Sequence, residues 1–311
     1  MTSQNPVDRH DWDLAWLATG LGFSSTSELG AALGSIDRRG YNLFALTDHG
    51  RRVISAPRPW LKALQRNANR AIFDQLPVSD SVYSRRGRGV VANAKLHLRN
   101  SYMTVMDVED CFPSTSKAAV LHSLEDLGLP AAVAGALTRL CTYHGFLPQG
   151  PPTSPAVLNV VFRPIDEALM EVASAHDALY SRYMDDLAFS GMHPLKRLDR
   201  DVCRVLGRFG YGTNSAKSRV WGPADPHTVT KIVVSTSLSP TPEFLRALSA
   251  QLESLEIGNC RLTYEQLRGK INWVKDVNQA LGRSLEQRIA RSNRVPSKNL
   301  TRRATVIGAV Q

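Results

Sequence analysis

Tyr180-Ser181-Arg182-Tyr183-Met184-Asp185-Asp186-Leu187-Ala188-Phe189-Ser190-Gly191 sets two adjacent aspartates between short runs in which apolar and polar residues alternate. Alternation at period two marks a half-buried strand, and two such runs joined by a tight turn read as a hairpin. The tip of that hairpin then carries two like charges side by side. Acidic side chains are almost never buried without a partner. A divalent cation is the economical partner, because hard ions such as Mg²⁺ take carboxylate and phosphate oxygens. A third carboxylate on a neighbouring strand would complete the set. Tyr102-Met103-Thr104-Val105-Met106 is a short apolar run that ends on Asp107, the best candidate. Two ions roughly 3.5–4 Å apart would clamp the attacking and leaving oxygens of an in-line phosphoryl displacement. An Asp-Asp pair alone is more often a turn or a helix start, so the surrounding sequence has to decide.

The rest of the chain frames that hairpin. Composition is ordinary for a soluble domain, 43% hydrophobic and 21% charged over 311 residues. No run approaches the ~18 apolar residues of a membrane helix, so no membrane partner is expected. Met1-Thr2-Ser3-Gln4-Asn5-Pro6 has neither a basic start nor an apolar stretch, and no secretory signal is expected. Cys111, Cys141, Cys203 and Cys260 are scattered, with no CxxC pair, which argues against a zinc ribbon or a disulfide framework. A cytoplasmic location fits. Charge is less ordinary: 38 Lys+Arg face 28 Asp+Glu, a net of +10. Residues 261–311 alone carry 11 basic and 3 acidic side chains. A polyanion partner follows, since each neutralised phosphate releases counterions.

Apolar spacing predicts one or two short helices over 11–35. A strand pair is expected over Tyr41–Pro57, turning at Asp48-His49-Gly50, then a helix over Trp60–Leu76 that Pro77 stops. A further helix is expected from about Ser116 to Gly128, and another over 156–174 in which Pro164 makes a kink. Beyond Ser239-Pro240 the character changes. Thr241-Pro242 is a cap followed by a first-turn proline, Thr263 with Gln266 is a capping-box pattern, and Leu281, Leu285 and Ile289 recur every four residues. The class is α+β with a basic helical end.

Four segments now carry a resemblance. Tyr183-Met184-Asp185-Asp186 resembles the Y-x-D-D box of reverse transcriptases. Asp107 with Phe112 resembles their first aspartate motif. Leu147-Pro148-Gln149-Gly150-Pro151-Pro152-Thr153-Ser154-Pro155 with Asn159 resembles the L-P-Q-G-x-x-x-S-P segment, and Gly212 to Ser218 is similar to the following lysine motif. The resemblance implies a right-hand polymerase: an N-terminal helical segment (1–40), fingers (41–105 with part of 125–160), a palm (106–239) and a helical thumb (240–311). It implies RNA-directed DNA polymerase activity with Asp107, Asp185 and Asp186 as catalytic residues. The same three with Val108 would be the metal site for two Mg²⁺ ions. Nucleotide binding would fall to Arg51 and Arg52 on the triphosphate, Phe112 under the sugar against a 2′-hydroxyl, Gln149 on the sugar, and Lys217 near the triphosphate. Taken alone, Phe112 reads as core and Lys217 as a solvated lysine. The usual lysine upstream of the arginines is replaced by Thr47-Asp48-His49.

Within that family Asn93-Ala94-Lys95-Leu96-His97 resembles the N-A-x-x-H signature of the retron type, while Val229-Thr230-Lys231 departs from its V-T-G. A retron enzyme is implied to copy a cognate structured non-coding RNA, priming from a guanosine 2′-hydroxyl and yielding RNA-linked single-stranded DNA (msDNA). Deoxynucleoside triphosphates are its substrates, antiphage defence its setting, and a separate effector protein a possible partner. Arg268, Lys270, Lys275 and Arg283 are expected nucleic-acid contacts. Trp273 reads as a core anchor ahead of a stacking platform. Two readings of Asn93 and His97 stay open, nucleic-acid contact or bracing of the fingers. Alternatives are a non-retron defence or group II intron-like reverse transcriptase, or a vestigial RNA-binding scaffold.

Overall fold

A computed structural model describes residues 12–46, 52–257, 260 and 262–292. The chain divides into two compact units, 1–93 with 100–224, and 94–99 with 225–311.

The first unit opens with capped helices. The Asp13 carboxylate accepts from Trp16 N (2.7 Å) at the start of α1 (Leu14–Leu21), and Ser25 caps α2 (Thr26–Gly34) in the same way. One turn, α3 (Ile36–Arg39), leads to antiparallel β1 (Tyr41–Leu46) and β2 (Arg52–Pro57). The expected turn at Asp48-His49-Gly50 lies outside the described residues. Helix α4 (Pro59–Ala71) ends in a 3-10 turn at Phe73–Gln75, short of the expected Leu76. Helix α5 (Val90–Leu96) then carries the chain out of this unit.

On its return the chain forms β3 (Tyr102–Asp107), followed by α6 (Cys111–Ser114), α7 (Lys117–Asp126) and α8 (Ala131–Cys141). The single helix expected over 156–174 is two, α9 (Ser154–Val161) and α10 (Arg163–Ala175), broken at Phe162. Pro164 has no N–H to offer the carbonyl four residues back, and its ring crowds that carbonyl. Next come β4 (Leu179–Tyr183), β5 (Asp186–Gly191), α11 (Leu198–Arg208) and β6 (Arg219–Trp221). The four strands form one antiparallel sheet in the order β4-β5-β3-β6. Phe162, Leu124, Leu137, Leu140 and Phe189, all fully buried, belong to one core beneath it. Residues 81–83 run along the outer edge of β4: Arg182 N donates to Ser81 O (2.8 Å) and Tyr83 N to Arg182 O (2.9 Å).

In the second unit three short strands, β7 (His227–Val229), β8 (Ile232–Val234) and β9 (Leu238–Pro240), form an antiparallel sheet. Helices α12 (Pro242–Glu256), α13 (Tyr264–Val277) and α14 (Gln279–Ser292) follow. The strands over 227–240 therefore group with the closing helices, although composition changes only after Ser239-Pro240; three-residue strands leave little compositional trace. Thr241 caps α12, and Thr263 with Gln266 forms the full capping box of α13. Leu248, Leu252, Leu267, Ile271, Val274 and Ile289 make this unit's own core. A Cβ at Gly282 would stand 2.3 Å from Lys275 Cα, so α13 and α14 touch backbone to backbone there.

Candidate active site

The hairpin is built as the alternation demands. Tyr183 pairs with Asp186, leaving Met184 and Asp185 as a two-residue turn, and Asp107 lies opposite Asp186 on the adjacent strand. Val108 N donates to Asp185 O (3.0 Å), tying the tip to the end of β3. The three aspartates thus come from two neighbouring strand ends and the turn between β4 and β5. Burial first, and then the charges of Asp185 and Asp107 among others, push the Cys111 thiol up. The buried thiol is therefore neutral.

Lys217 is brought to the same place by a local turn. Asn214 N donates to Asp107 O (2.8 Å), Asn214 Oδ1 accepts from Ala216 N (3.2 Å), and Asn214 O accepts from Lys217 N (3.1 Å). The ammonium then reaches both oxygens of Asp107, at 2.9 and 3.0 Å. Asp107 is mostly buried, its side chain 11% exposed, and a carboxylate so placed demands positive charge. Among the described residues no three Asp, Glu, His or Cys side chains form a ready metal-holding group. The donor chemistry nevertheless fits a hard divalent ion, since the groups here are carboxylate oxygens and a cation, the Lys217 ammonium, already stands on one of them.

The other expected residues are distributed as follows. Arg51 lies outside the described residues, and Arg52 is the first residue of β2. After β3 the chain turns sharply through Asp110 in the left-handed region (φ 43°), which buries Phe112 in the core at the start of α6. Gln149 is half-buried, and its carbonyl accepts from Ser55 N (2.8 Å). Next to it Gly150 has φ 117°, and a Cβ would meet Ser55 O at 3.0 Å, so only glycine suits this approach to β2. Asn93 and His97 are fully buried, at 1% and 0% exposure, which favours bracing over contact with nucleic acid. In the second unit Arg268 and Arg283 are exposed, Lys270 donates to Gln251 (2.9 Å) and Lys275 to Glu286 (2.9 Å). Trp273 packs on that unit's core, its ring 4.6 Å from Phe244.

Sequence reasoning missed what lies behind the tip. Arg182 and Asp166 are fully buried and bonded twice, Nε to Oδ1 and Nη2 to Oδ2, both at 2.8 Å. Asp166 lies among Ile165, Leu169 and Ala173 on the buried stripe of α10. A carboxylate in that pattern was the available signal of a buried partner. Ser84 also contacts the turn. Beside Tyr183 and Met184 opens a cavity of about 510 Å³ bordered by Tyr83, Arg85, Arg88 and Asn69. Arg88 lies over the Tyr83 ring, 4.9 Å from its centroid.

Residues 47–235, more than half of the chain, match the family described as "Reverse transcriptase (RNA-dependent DNA polymerase)". The chain belongs to that family. It is accordingly an RNA-directed DNA polymerase by class, with the dependence on divalent metal that the family carries. Among curated proteins it is 29% identical to the retron Ec86 reverse transcriptase of Escherichia coli over 80% of this chain and 78% of that one. It is 30% identical to the retron Mx65 reverse transcriptase of Myxococcus xanthus over 80% of this chain, spanning 64% of that relative's length. Among solved structures, apo telomerase from Candida tropicalis aligns with a TM-score of 0.49 at 10% identity, over 81% of this chain and 58% of that one. No described helix is long and apolar enough to cross a membrane.

Proposed function

We propose that this chain is a retron reverse transcriptase, which copies a cognate structured non-coding RNA into single-stranded DNA joined to that RNA. The observation that carries the reading is the strand register setting Asp107 opposite Asp186, with Asp185 beside them at the tip. The similarity to retron enzymes and the Asn93-Ala94-Lys95-Leu96-His97 segment support the retron assignment. Residues 41–105 with part of 125–160 would act as fingers, 106–239 as palm and 240–311 as thumb, with 1–40 as a helical extension.

Asp107, Asp185 and Asp186, with Val108 beside them, would hold two Mg²⁺ ions. Bound there, the ions supply the charge that activates the attacking hydroxyl and stabilises departing pyrophosphate. The chain's own groups do the rest. Lys217 shields Asp107 and lies ready to neutralise phosphate charge. Arg51 and Arg52 would grip the triphosphate, a task suited to planar guanidinium forks. Phe112 would bar a 2′-hydroxyl, and Gln149 would orient the sugar of a deoxynucleoside triphosphate. The exposed Arg268 and Arg283, with Lys270 and Lys275, would engage the RNA through phosphates and shape. Priming from a guanosine 2′-hydroxyl, a role in antiphage defence in the cytoplasm and a separate effector protein complete the proposal.

The test is to purify the chain with its upstream RNA, add Mg²⁺ and deoxynucleotides, and look for RNA-linked DNA. Asp185→Asn with Asp186→Asn should abolish the product while RNA binding and thermal melting stay as they were. Continued synthesis by that double variant sinks the site. DNA made only from an added 3′-hydroxyl primer points to a non-retron enzyme, and RNA binding without synthesis to a scaffold.

A further inference from the structure

We infer that Ser84 and the buried Asp166–Arg182 pair are positioning residues that hold the backbone of Met184 and thereby fix where Asp185 and Asp186 stand. The inference rests on reading those aspartates as the metal ligands. Met184 is the first turn residue and has φ 56°, the left-handed region, which a side chain as long as methionine rarely adopts. Such a residue persists only where its surroundings over-determine it.

Both polar groups of the Met184 backbone are taken by side chains from outside the turn. Its N–H donates to Ser84 Oγ (3.1 Å), and its carbonyl accepts from Arg182 Nη1 (2.9 Å). Each anchor is itself anchored. Ser84 Oγ donates to Asn159 Oδ1 (3.3 Å), while Asn159 Nδ2 donates to the Ser84 carbonyl (3.0 Å). Asn159 is 2% exposed on α9, in the core. Arg182 is gripped at two nitrogens by Asp166, whose Oδ1 also accepts from Tyr180 Oη (2.8 Å). Its guanidinium carbon lies 4.8 Å from the centre of the Phe162 ring. Burial alone would lower the Arg182 pKa, but Asp166 overcomes it and the net shift is upward, so the guanidinium stays charged. Helices α9 and α10, split at Phe162, thus supply one anchor each. Asn159 works through Ser84 on the turn's N–H, and Asp166 works through Arg182 on its carbonyl.

The decisive variant is Ser84→Ala, which removes one hydroxyl from a half-buried site and leaves the Asp166–Arg182 pair intact. Two measurements are made on the full chain: Mn²⁺ binding, followed by the EPR signal of free ion, and single-nucleotide addition across a range of Mg²⁺ and deoxynucleotide concentrations. Ser84→Ala should bind Mn²⁺ several-fold more weakly and show a kcat about three- to tenfold lower, the worth of one neutral hydrogen bond. KM for the deoxynucleotide should be unchanged, Tm should fall by no more than the few degrees that one hydrogen bond is worth, with the chain still folded at the assay temperature, and Ser84→Thr should restore both losses. Wild-type Mn²⁺ binding and kcat in Ser84→Ala overturn the inference, as does a loss that matches the fraction of chain unfolded at the assay temperature. So does a wild-type chain whose Mn²⁺ binding is indifferent to Asp185→Asn. A wild-type chain that binds Mn²⁺ through Asp185 yet polymerises nothing overturns the proposed function instead, and the Mn²⁺ comparison still decides the positioning role.

Discussion

At the scale of single residues, the most consequential side chain away from the tip is Asp166. It faces a fully buried guanidinium and a buried phenol. Asp166→Leu strands the Arg182 charge in the core, a loss of about 3–5 kcal/mol. Urea denaturation should record it, with polymerase activity falling further than stability alone explains. Replacing both partners, Asp166→Leu with Arg182→Met, should recover much of the stability, because uncompensated charge is the larger cost. It should not recover activity, since the Met184 carbonyl then lacks its donor. The three aspartates were legible in the sequence because chemistry constrains them: like charges side by side announce a cation. Ser84 was not legible. Its role depends on residues 81–83 running beside β4, a long-range pairing that no local period encodes.

At the scale of elements, caps and periods were readable because each is a local bargain. Thr263 and Gln266 satisfy each other's backbone within one turn, and Leu267, Ile271 and Val274 follow at helical spacing. The break between α9 and α10 was readable only as a kink, since Pro164 marks the lost hydrogen bond but not how far the axes part. Helix packing was invisible altogether. In an exposed helix interior Gly→Ala usually stabilises by about 1 kcal/mol. At Gly282 the sign should reverse, because the new methyl would fall 2.4 Å from Lys275 Cβ. Gly282→Ala should cost about 1–3 kcal/mol as the helices are forced apart, seen as a lower Tm by circular dichroism.

At the scale of the whole molecule, residues 94–99 belong with 225–311 despite their place in the sequence. His97 lies in that segment at 0% exposure, and burial lowers its pKa to about 4. The unfolded chain therefore binds the extra proton first. Stability from a neutral His97 is complete above the unfolded value near 6.5 and drains away as pH falls from there towards 4. On the order of 3 kcal/mol is at stake across that window. Denaturant titrations at pH 7 and pH 4.5 should differ accordingly, and His97→Gln should flatten the difference. Composition placed a change of character near residue 240, but nothing in it reported that a hexapeptide from the first third of the chain joins the last.

That interleaving also orders events on the ribosome. Residues 94–99 emerge about 125 residues ahead of their partners, a delay of roughly 6–25 s at ordinary elongation rates. For that interval Arg99 N, which donates to Ser235 O in the finished protein (3.1 Å), has only water as its acceptor. Nascent chains released before residue 225 should therefore engage holdase chaperones through this segment, and the C-terminal unit should not be obtainable as a freely folding fragment cut from 225 onward.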